Sequence, residues 1–195
     1  MTNKSVVIAI VIFVLLSCCF LILAGGQYFV NDCLWWDCAP KRNFRVSDLE
    51  LPSTLFPDVA IVNHIRPMSD EFTTIEDGLQ SIYWDNGNGL AGYDIYRYAT
   101  IKKAIRGFEF NYKQMVDDGT KKPWIRPSEL TYSSSTANQL QIACGIWIGR
   151  RCGMLARYQE YVVFFDAVMD DKMTYSDFER IVIYIDEQMS AQLSP

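Results

Sequence analysis

The hydrophobic positions of this chain form one long unbroken run, followed by several shorter periodic segments. The run covers residues 6–24 and contains no charged residue, proline or glycine. As a helix it would extend over roughly 28 Å, close to the ~30 Å hydrocarbon core of a bilayer. The pattern therefore predicts a membrane anchor over residues 1–26, a juxtamembrane connector over residues 27–47 and one folded domain over residues 48–195.

Three interpretations of the apolar run stay open. Its length favours an uncleaved single-pass helix, a signal-anchor, because the apolar regions of cleavable signal peptides usually have about 7–15 residues. A cleaved signal peptide would end near Gly26, where Ala24-Gly25-Gly26 supplies small residues before Gln27. A lipoprotein signal is the third interpretation, because Leu15-Leu16-Ser17-Cys18 resembles a lipobox, although apolar residues continue where a polar tether is usual.

Four of the six cysteines lie beyond the anchor, in two close pairs. Four cysteines allow three connectivities, and we expect the local pairs Cys33–Cys38 and Cys144–Cys152. Disulfides persist in oxidising compartments, so the cysteines favour a domain outside the cytoplasm, where the positive-inside rule alone is ambiguous. A zinc site is the rival, but the spacings C-x4-C and C-x7-C fit zinc sites poorly and His64 is the single histidine. We therefore expect two bridges and no metal.

Beyond the connector, short alternating or β-branched segments predict strands. A short strand is expected within residues 58–63, followed by a polar loop over residues 69–77. Residues 80–98 predict a β-hairpin whose turn, residues 85–89, is rich in residues that tolerate positive φ. Glycines at the third and fifth positions of that turn argue against a calcium loop. Three more strands are expected, over residues 140–148, 152–158 and 161–169, with a loop centred on Ile148 and Cys144 facing Cys152 across it.

Residues 100–117 have the 3.6-residue periodicity of an amphipathic helix. Thr100 is a suitable N-cap, and Gly107 weakens the helix at its middle. The apolar stripe includes Ile101 and Tyr112, and the other side is basic. Such a helix either covers a sheet or lies on anionic lipid, and we favour the first.

Residues 173–193 predict a second amphipathic helix, in which Thr174 and Asp177 approximate a capping box. Its apolar stripe runs from Phe178 to Leu193, and we place Asp186 on its solvent side. The predicted fold class is therefore α+β: an N-terminal transmembrane helix, then one domain with an antiparallel sheet of about five strands covered by two amphipathic helices.

The charge distribution excludes one broad class of function. The formal net charge is −5, and an acidic chain is unsuited to general nucleic-acid binding. The charge is uneven, because residues 97–126 are rich in Lys and Arg whereas residues 158–195 are rich in Asp and Glu. We expect two solvated faces, with steering of a partner as the alternative.

Few residues of the chain suggest catalytic chemistry. His64 is the one histidine, and the chain contains no G-x-S-x-G, phosphate-binding loop or H-E-x-x-H motif. Four carboxylates could supply a hydrolytic pair: Asp166, Asp170, Asp171 and Asp177. Asp170 and Asp171 precede a predicted helix, where acidic residues are favoured in any case. We expect a protein that is not an enzyme and needs no cofactor.

Aromatic residues make up 14% of the chain, which is its one compositional excess. Exposed aromatic side chains stack on sugar rings or anchor protein partners. The candidate ligand-binding residues are Tyr83, Trp84, Tyr96 and Trp124. The leading hypothesis is an extracytoplasmic, non-catalytic interaction module of the cell envelope with a protein partner. A tethered glycan or small-ligand binding module is the alternative, and an enzyme of unrecognised type is the third.

Overall fold

The structure, a computed structural model, describes residues 3–57, 60–68, 74–116, 123–146 and 149–194. The chain forms two compact units, Met1–Cys38 and Ala39–Pro195. This division falls inside the predicted connector. Residues 27–31 continue the first helix, and residues 39–47 belong to the second unit.

The first unit is a long helix followed by a bridged loop. Helix α1 spans Asn3–Asn31, and its segment Val6–Asn31 is long and apolar enough to cross a membrane, with none of the most apolar stretch buried. Asp32 ends the helix in a left-handed conformation, with φ 55°. The Cys33–Cys38 disulfide closes the loop that follows, with its Cα atoms 5.1 Å apart. The apolar helix and the first bridge are confirmed; a signal sequence would meet the same criteria of length and composition.

The second unit is built on one antiparallel sheet with the strand order β1-β2-β3-β6-β5-β4. The strands are β1 (Ile61–Val62), β2 (Thr74–Trp84), β3 (Gly89–Tyr98), β4 (Gln139–Ile146), β5 (Arg150–Tyr158) and β6 (Tyr161–Val168). Two hairpins, β2–β3 and β5–β6, meet where β3 pairs with β6. The α+β class is confirmed, with six strands instead of about five. The short strand expected within residues 58–63 is β1, although Asp58 and Val59 lie outside the described residues.

Strand β2 begins earlier than its polar sequence suggests. Residues 69–77 were expected to form a loop, yet Thr74–Asp77 lie in β2, and residues 69–73 lie outside the described part of the chain. The acidic side chains of this stretch satisfy neighbouring backbone groups: Glu76 accepts from the Val46 N–H at 2.9 Å and Asp77 from the Met68 N–H at 2.8 Å. The polar start of β2 is therefore stable because its carboxylates bind backbone groups of adjoining loops.

The predicted turns lie where their residue chemistry indicated. Between β2 and β3 a short 3-10 turn, Asp85–Gly87, contains φ angles of 52°, 54° and 90° at Asp85, Asn86 and Gly87. Between β4 and β5, Cys144 lies directly opposite Cys152, and a disulfide joins them. Both predicted features are confirmed, although Trp147 and Ile148, at the centre of the second loop, lie outside the described residues.

Helices cover both faces of the sheet. Helix α2 (Ile101–Val116) packs on β5, β6 and β3, and helix α3 (Tyr175–Leu193) packs on the opposite face with the segment of residues 44–56. That segment contains two 3-10 turns, Val46–Leu49 and Ser53–Leu55. The larger core, under α3, contains fully buried aromatic side chains: Trp84, Tyr93, Tyr158, Tyr161, Phe165 and Phe178. The smaller core, under α2, includes Tyr96, Tyr98, Phe108, Met115, Trp124 and Leu155.

Both helices begin at the predicted caps. The Thr100 hydroxyl accepts from the Lys103 N–H at 3.1 Å, and Thr174 and Asp177 form a reciprocal capping box. The expectation that Ile101 and Tyr112 belong to the buried face of α2 is wrong, since they are 47% and 37% exposed. The part of the helix that covers the sheet is narrower than its apolar stripe.

The placement of Asp186 on the solvent side of α3 is also wrong, since this residue is only 4% exposed. Its carboxylate accepts hydrogen bonds from the hydroxyls of Tyr132 at 2.8 Å, Tyr158 at 2.9 Å and Ser134. These three donors come from a loop and from β5, elements distant in sequence from α3. A buried carboxylate with three donors is satisfied, and it fastens the loop to the helix.

Candidate protein-interaction surface

The sheet face under α2 is covered unevenly. The helix packs on β5, β6 and β3, while the same face at β1 and β2 carries exposed apolar side chains. Ile61 on β1 lies opposite Tyr83 on β2, and Tyr83 lies opposite Leu90 on β3. Side chains directly opposite each other in a sheet share a face, so these three form a row across three strands. We call Ile61, Tyr83 and Leu90 the β1–β3 patch.

The burial of neighbouring residues fixes the side on which the patch lies. Ile82, Trp84 and Ala91, the alternate residues of the same strands, are at most 2% exposed and belong to the core under α3. Successive residues of a strand point to opposite faces. Ile61 is 65% exposed and Tyr83 38% exposed, while Leu90 is half-buried. The patch therefore presents apolar surface to solvent beside α2.

A row of small residues adjoins the patch and ends at a buried ion pair. Ser81 lies opposite Gly92, and Gly92 lies opposite Asp166. A Cβ atom on Gly92 would approach Asp166 Oδ1 to 2.9 Å, so the carboxylate leans over this glycine. Asp166 forms an ion pair with Arg151. Ser81 and Gly92 therefore form a shallow strip along the β1–β3 patch, and the Asp166–Arg151 ion pair lies at its end.

The electrostatics of the ion pair follow from its burial. Burial raises the pKa of the Asp166 carboxyl above its ordinary value, and the charge and hydrogen bond of Arg151, with the Gly92 amide, offset part of this effect. The side chains of Arg151 and Asp166 are 8% and 12% exposed. Because two partly compensated charges sit this close to the surface, the site disfavours a wholly apolar occupant.

The structure does not bring the four predicted aromatic residues together. Tyr83 lies in the β1–β3 patch, Trp84 is buried on the other face of the sheet, and Tyr96 and Trp124 lie in the core under α2. The indole N–H of Trp84 donates to Asp170 Oδ2 at 3.1 Å. Only Tyr83 of the four presents its ring to solvent. Sequence reasoning missed its neighbour Ile61, because the pairing of β1 with β2 has no signature in the chain.

Three of the four carboxylates considered for catalysis have separate structural roles, and the fourth, Asp171, is exposed. Asp170 accepts from Trp84 and from the N–H groups of Lys172 and Met173, and Asp177 caps α3. Asp166 pairs with Arg151. His64 has a side chain that is 94% exposed and lies 3.1 Å from the carboxylate of Glu50. Across the described ranges these groups do not converge on one cleft.

One group of potential metal ligands is found in the part of the chain that the structure describes. The Sγ atoms of Cys33 and Cys38 and a carboxylate oxygen of Asp37 lie within 4.8 Å of one another. The two sulfur atoms are joined in a disulfide, and Asp37 Oδ1 accepts from the Leu34 N–H at 2.7 Å. Thiolate ligation requires free cysteines, so this group is a bridged turn.

Comparison with models of known protein families and with curated proteins finds no match.

Proposed function

We propose that this chain is a single-pass membrane protein of the cell envelope that displays its second unit outside the cytoplasm. In this proposal it acts without catalysis, by binding a protein partner. The observation that carries the proposal is the combination of an exposed apolar helix, Val6–Asn31, with two disulfides in the chain that follows. A helix of this length matches a bilayer, and disulfides accumulate in oxidising compartments.

The β1–β3 patch supports a protein as the partner. Exposed apolar side chains beside polar groups are typical of protein interfaces, and a tyrosine at the centre of such a patch is a frequent anchor. A glycan platform needs several exposed aromatic rings, whereas three of the four candidate aromatic residues are buried. The buried ring faces favour a protein partner over a sugar.

The location is tested by cysteine labelling of intact cells that express the full chain. A membrane-impermeant thiol reagent is applied with and without an impermeant reductant, and the sites are mapped by peptide mass spectrometry. We expect Cys33 and Cys38 to react only after reduction. Cys18 and Cys19, which lie unbridged in α1, serve as the internal control that stays protected by the bilayer. Cysteines that react without reductant, and only in opened cells, would place the domain in the cytoplasm.

The partner is tested by a photoreactive amino acid at position 83, with position 187 as the control. Glu187 is exposed on α3, on the opposite face of the sheet. We expect position 83 to cross-link to a discrete protein in intact membranes, and an added Ile61→Asp substitution to abolish the product. Equal products at both positions, or a product that Ile61→Asp leaves unchanged, would contradict the proposed surface.

A further inference from the structure

We infer that the outer side of α2 lies against an anionic lipid surface and holds the second unit down on the bilayer. This inference rests on the proposed membrane anchoring and goes beyond it. We call the exposed residues Lys102, Arg106, Glu109, Phe110 and Lys113 the outer side of α2. The inner side of the same helix covers the sheet through Ala104, Phe108 and Met115, so both uses predicted for such a helix are compatible.

The outer side carries an excess of unpaired positive charge. Lys102, Arg106 and Lys113 are all exposed, and no ion pair of theirs is found among the described residues. Glu109 is the one acid among them. Basic residues on an amphipathic helix are attracted to anionic headgroups, and the attraction falls off within about a Debye length.

An aromatic side chain stands among these charges. Phe110 is 61% exposed and projects from the basic side. Exposure of its apolar ring to water is unfavourable in free energy. Ile101 and Tyr112, at the border of the basic side, are 47% and 37% exposed. Basic residues with interspersed Phe and aliphatic side chains are typical of helices that lie in a membrane interface.

The first residues of the second unit lie next to the start of α2 in space. The Ala39 N–H donates to the Ala99 carbonyl at 2.7 Å, and Arg97 donates to the Pro40 carbonyl at 2.8 Å. Helix α2 begins two residues after Ala99. Residues 39 and 40, the first of the unit, are therefore fastened beside the N-terminus of the basic helix.

The covalent path from the anchor to this entry point is short. Residue 31 ends α1, and the Cys33–Cys38 bridge brings the ends of the intervening loop to a Cα–Cα distance of 5.1 Å. The path from residue 31 to residue 39 is therefore at most about 16 Å long. Because residues 39 and 40 are hydrogen-bonded to Ala99 and Arg97, the short tether ends close to the start of α2.

The opposite face of the sheet has the opposite charge. Helix α3 carries Glu179 and Glu187, and the segment before it carries Asp171. An anionic surface attracts the α2 side and repels the α3 side, so the field of the whole unit favours one orientation. The uneven charge noted along the sequence is thus separated in space by the sheet.

The test uses the full chain in lipid nanodiscs of phosphatidylcholine, with or without 30% phosphatidylglycerol. A photoreactive amino acid is placed at position 110 or, as the control, at position 187, and lipid adducts are counted by mass spectrometry. With the anionic lipid we expect at least fivefold more adducts at position 110 than at position 187. The excess should disappear in phosphatidylcholine alone and fall severalfold in 0.5 M salt.

Two charge variants sharpen the test. Lys102→Glu combined with Lys113→Glu should remove the excess at position 110, whereas Glu109→Lys should increase it. Anchoring is measured separately, as resistance to extraction by alkaline carbonate. A chain that resists extraction but gives equal adducts at both positions overturns the α2 inference alone. A chain that is extracted overturns the anchor, and with it this inference.

Discussion

The carboxylate of Asp186 accepts a hydrogen bond from the buried hydroxyl of Tyr158 at 2.9 Å, and so joins α3 to β5. Tyr132 donates to the same carboxylate at 2.8 Å. Burial, reinforced by Asp186, raises the pKa of Tyr132 to about 12 and that of Tyr158 further, so both hydroxyls remain donors at all physiological pH values.

Replacing Asp186 should destabilise the second unit, because its buried carboxylate is the acceptor for three hydroxyl groups. Asp186→Ala leaves the hydroxyls without their acceptor, and we expect a loss of about 2–4 kcal/mol in the free energy of unfolding. Asp186→Asn keeps one acceptor oxygen and should cost less. Guanidinium unfolding of the full chain in detergent, followed by circular dichroism, measures both. Glu187→Ala, one residue further along, is the control and should change stability by less than ~0.5 kcal/mol. Equal losses at 186 and 187 would contradict the buried network.

Glu160 is a second buried carboxylate, and its main partner is an arginine instead of hydroxyl groups. Arg42 donates to both carboxylate oxygens of Glu160, at 2.7 and 2.8 Å, and Glu160 is fully buried. Arg42→Ala removes the main partner of a buried charge and should cost about 3 kcal/mol. Arg180→Ala is the matched control, because the Arg180 side chain is 57% exposed in its pair with Asp177 and should contribute at most ~0.5 kcal/mol. The same unfolding measurement compares the two variants, and similar losses would contradict the role of Arg42 as the main partner of the buried Glu160 charge.

The two disulfides should differ in their effect on stability. Cys144–Cys152 closes a loop within the second unit, with a sequence separation of 8. Replacing both cysteines by serine should lower the stability of that unit by about 2.5 kcal/mol on the chain-entropy estimate. Replacing Cys33 and Cys38 should leave its unfolding midpoint unchanged, since both lie in the first unit. A shift of the midpoint in the second variant would contradict this separation.

Gly107 should resist the substitution that usually strengthens a helix. An alanine in place of a mid-helix glycine normally stabilises by about 1 kcal/mol. Here the new Cβ would meet the Tyr98 hydroxyl oxygen at 2.2 Å and its ring carbon Cζ at 2.4 Å. We expect Gly107→Ala to destabilise by about 1–3 kcal/mol through overpacking. Gln114→Ala, at an exposed position of the same helix, should be neutral or slightly stabilising.

The cap of α3 should lose its effect in acid. Burial opposes ionisation of Asp177, but the hydroxyl and amide of Thr174, with Arg180, outweigh it and hold the pKa of Asp177 below its ordinary value of 3.8. A carboxyl with a lowered pKa in the folded state stabilises above its unfolded pKa and loses this contribution as the pH falls through the folded pKa. Asp177→Asn should therefore be less stable than the natural chain at pH 6, with the gap closing below about pH 4. A gap that is constant from pH 6 to pH 3 would assign it to hydrogen bonding alone.

The parts of the fold that were predictable are those encoded locally. The turn at residues 85–89 is predicted by residues that tolerate positive φ. The cap of α3 is predicted by Thr174 and Asp177. The bridge between Cys144 and Cys152 follows because a tight hairpin brings such a pair face to face. Each of these predictions needs information from fewer than ten residues.

The remaining features depend on how the elements pack in space, and most of them join distant segments. Gly107 weakens its helix by propensity, but it accommodates the ring of Tyr98, and the way α2 packs against the end of β3 is not encoded in periodicity. Asp186 sits at the border of an apolar stripe, and only the arrival of Tyr132 and Tyr158 makes it buried. Trp84 and Tyr96 are strand aromatics whose burial depends on helices covering both faces of the sheet. Periodicity cannot specify which strand neighbours which, so the β1–β3 patch was not predictable.

Under the proposed membrane anchoring, the Cys33–Cys38 bridge affects both the strength and the exchange rate of binding at the membrane surface. A tether of at most about 16 Å confines residue 39, where the second unit begins, to a small volume around the end of the anchor. The effective concentration of the second unit at a surface holding that anchor is then millimolar or higher. At such a concentration, contacts with dissociation constants near 1 mM are mostly occupied. The bridged tether can thus convert individually feeble contacts into a persistent attachment that still exchanges rapidly, and the same surfaces released from the anchor would hardly associate.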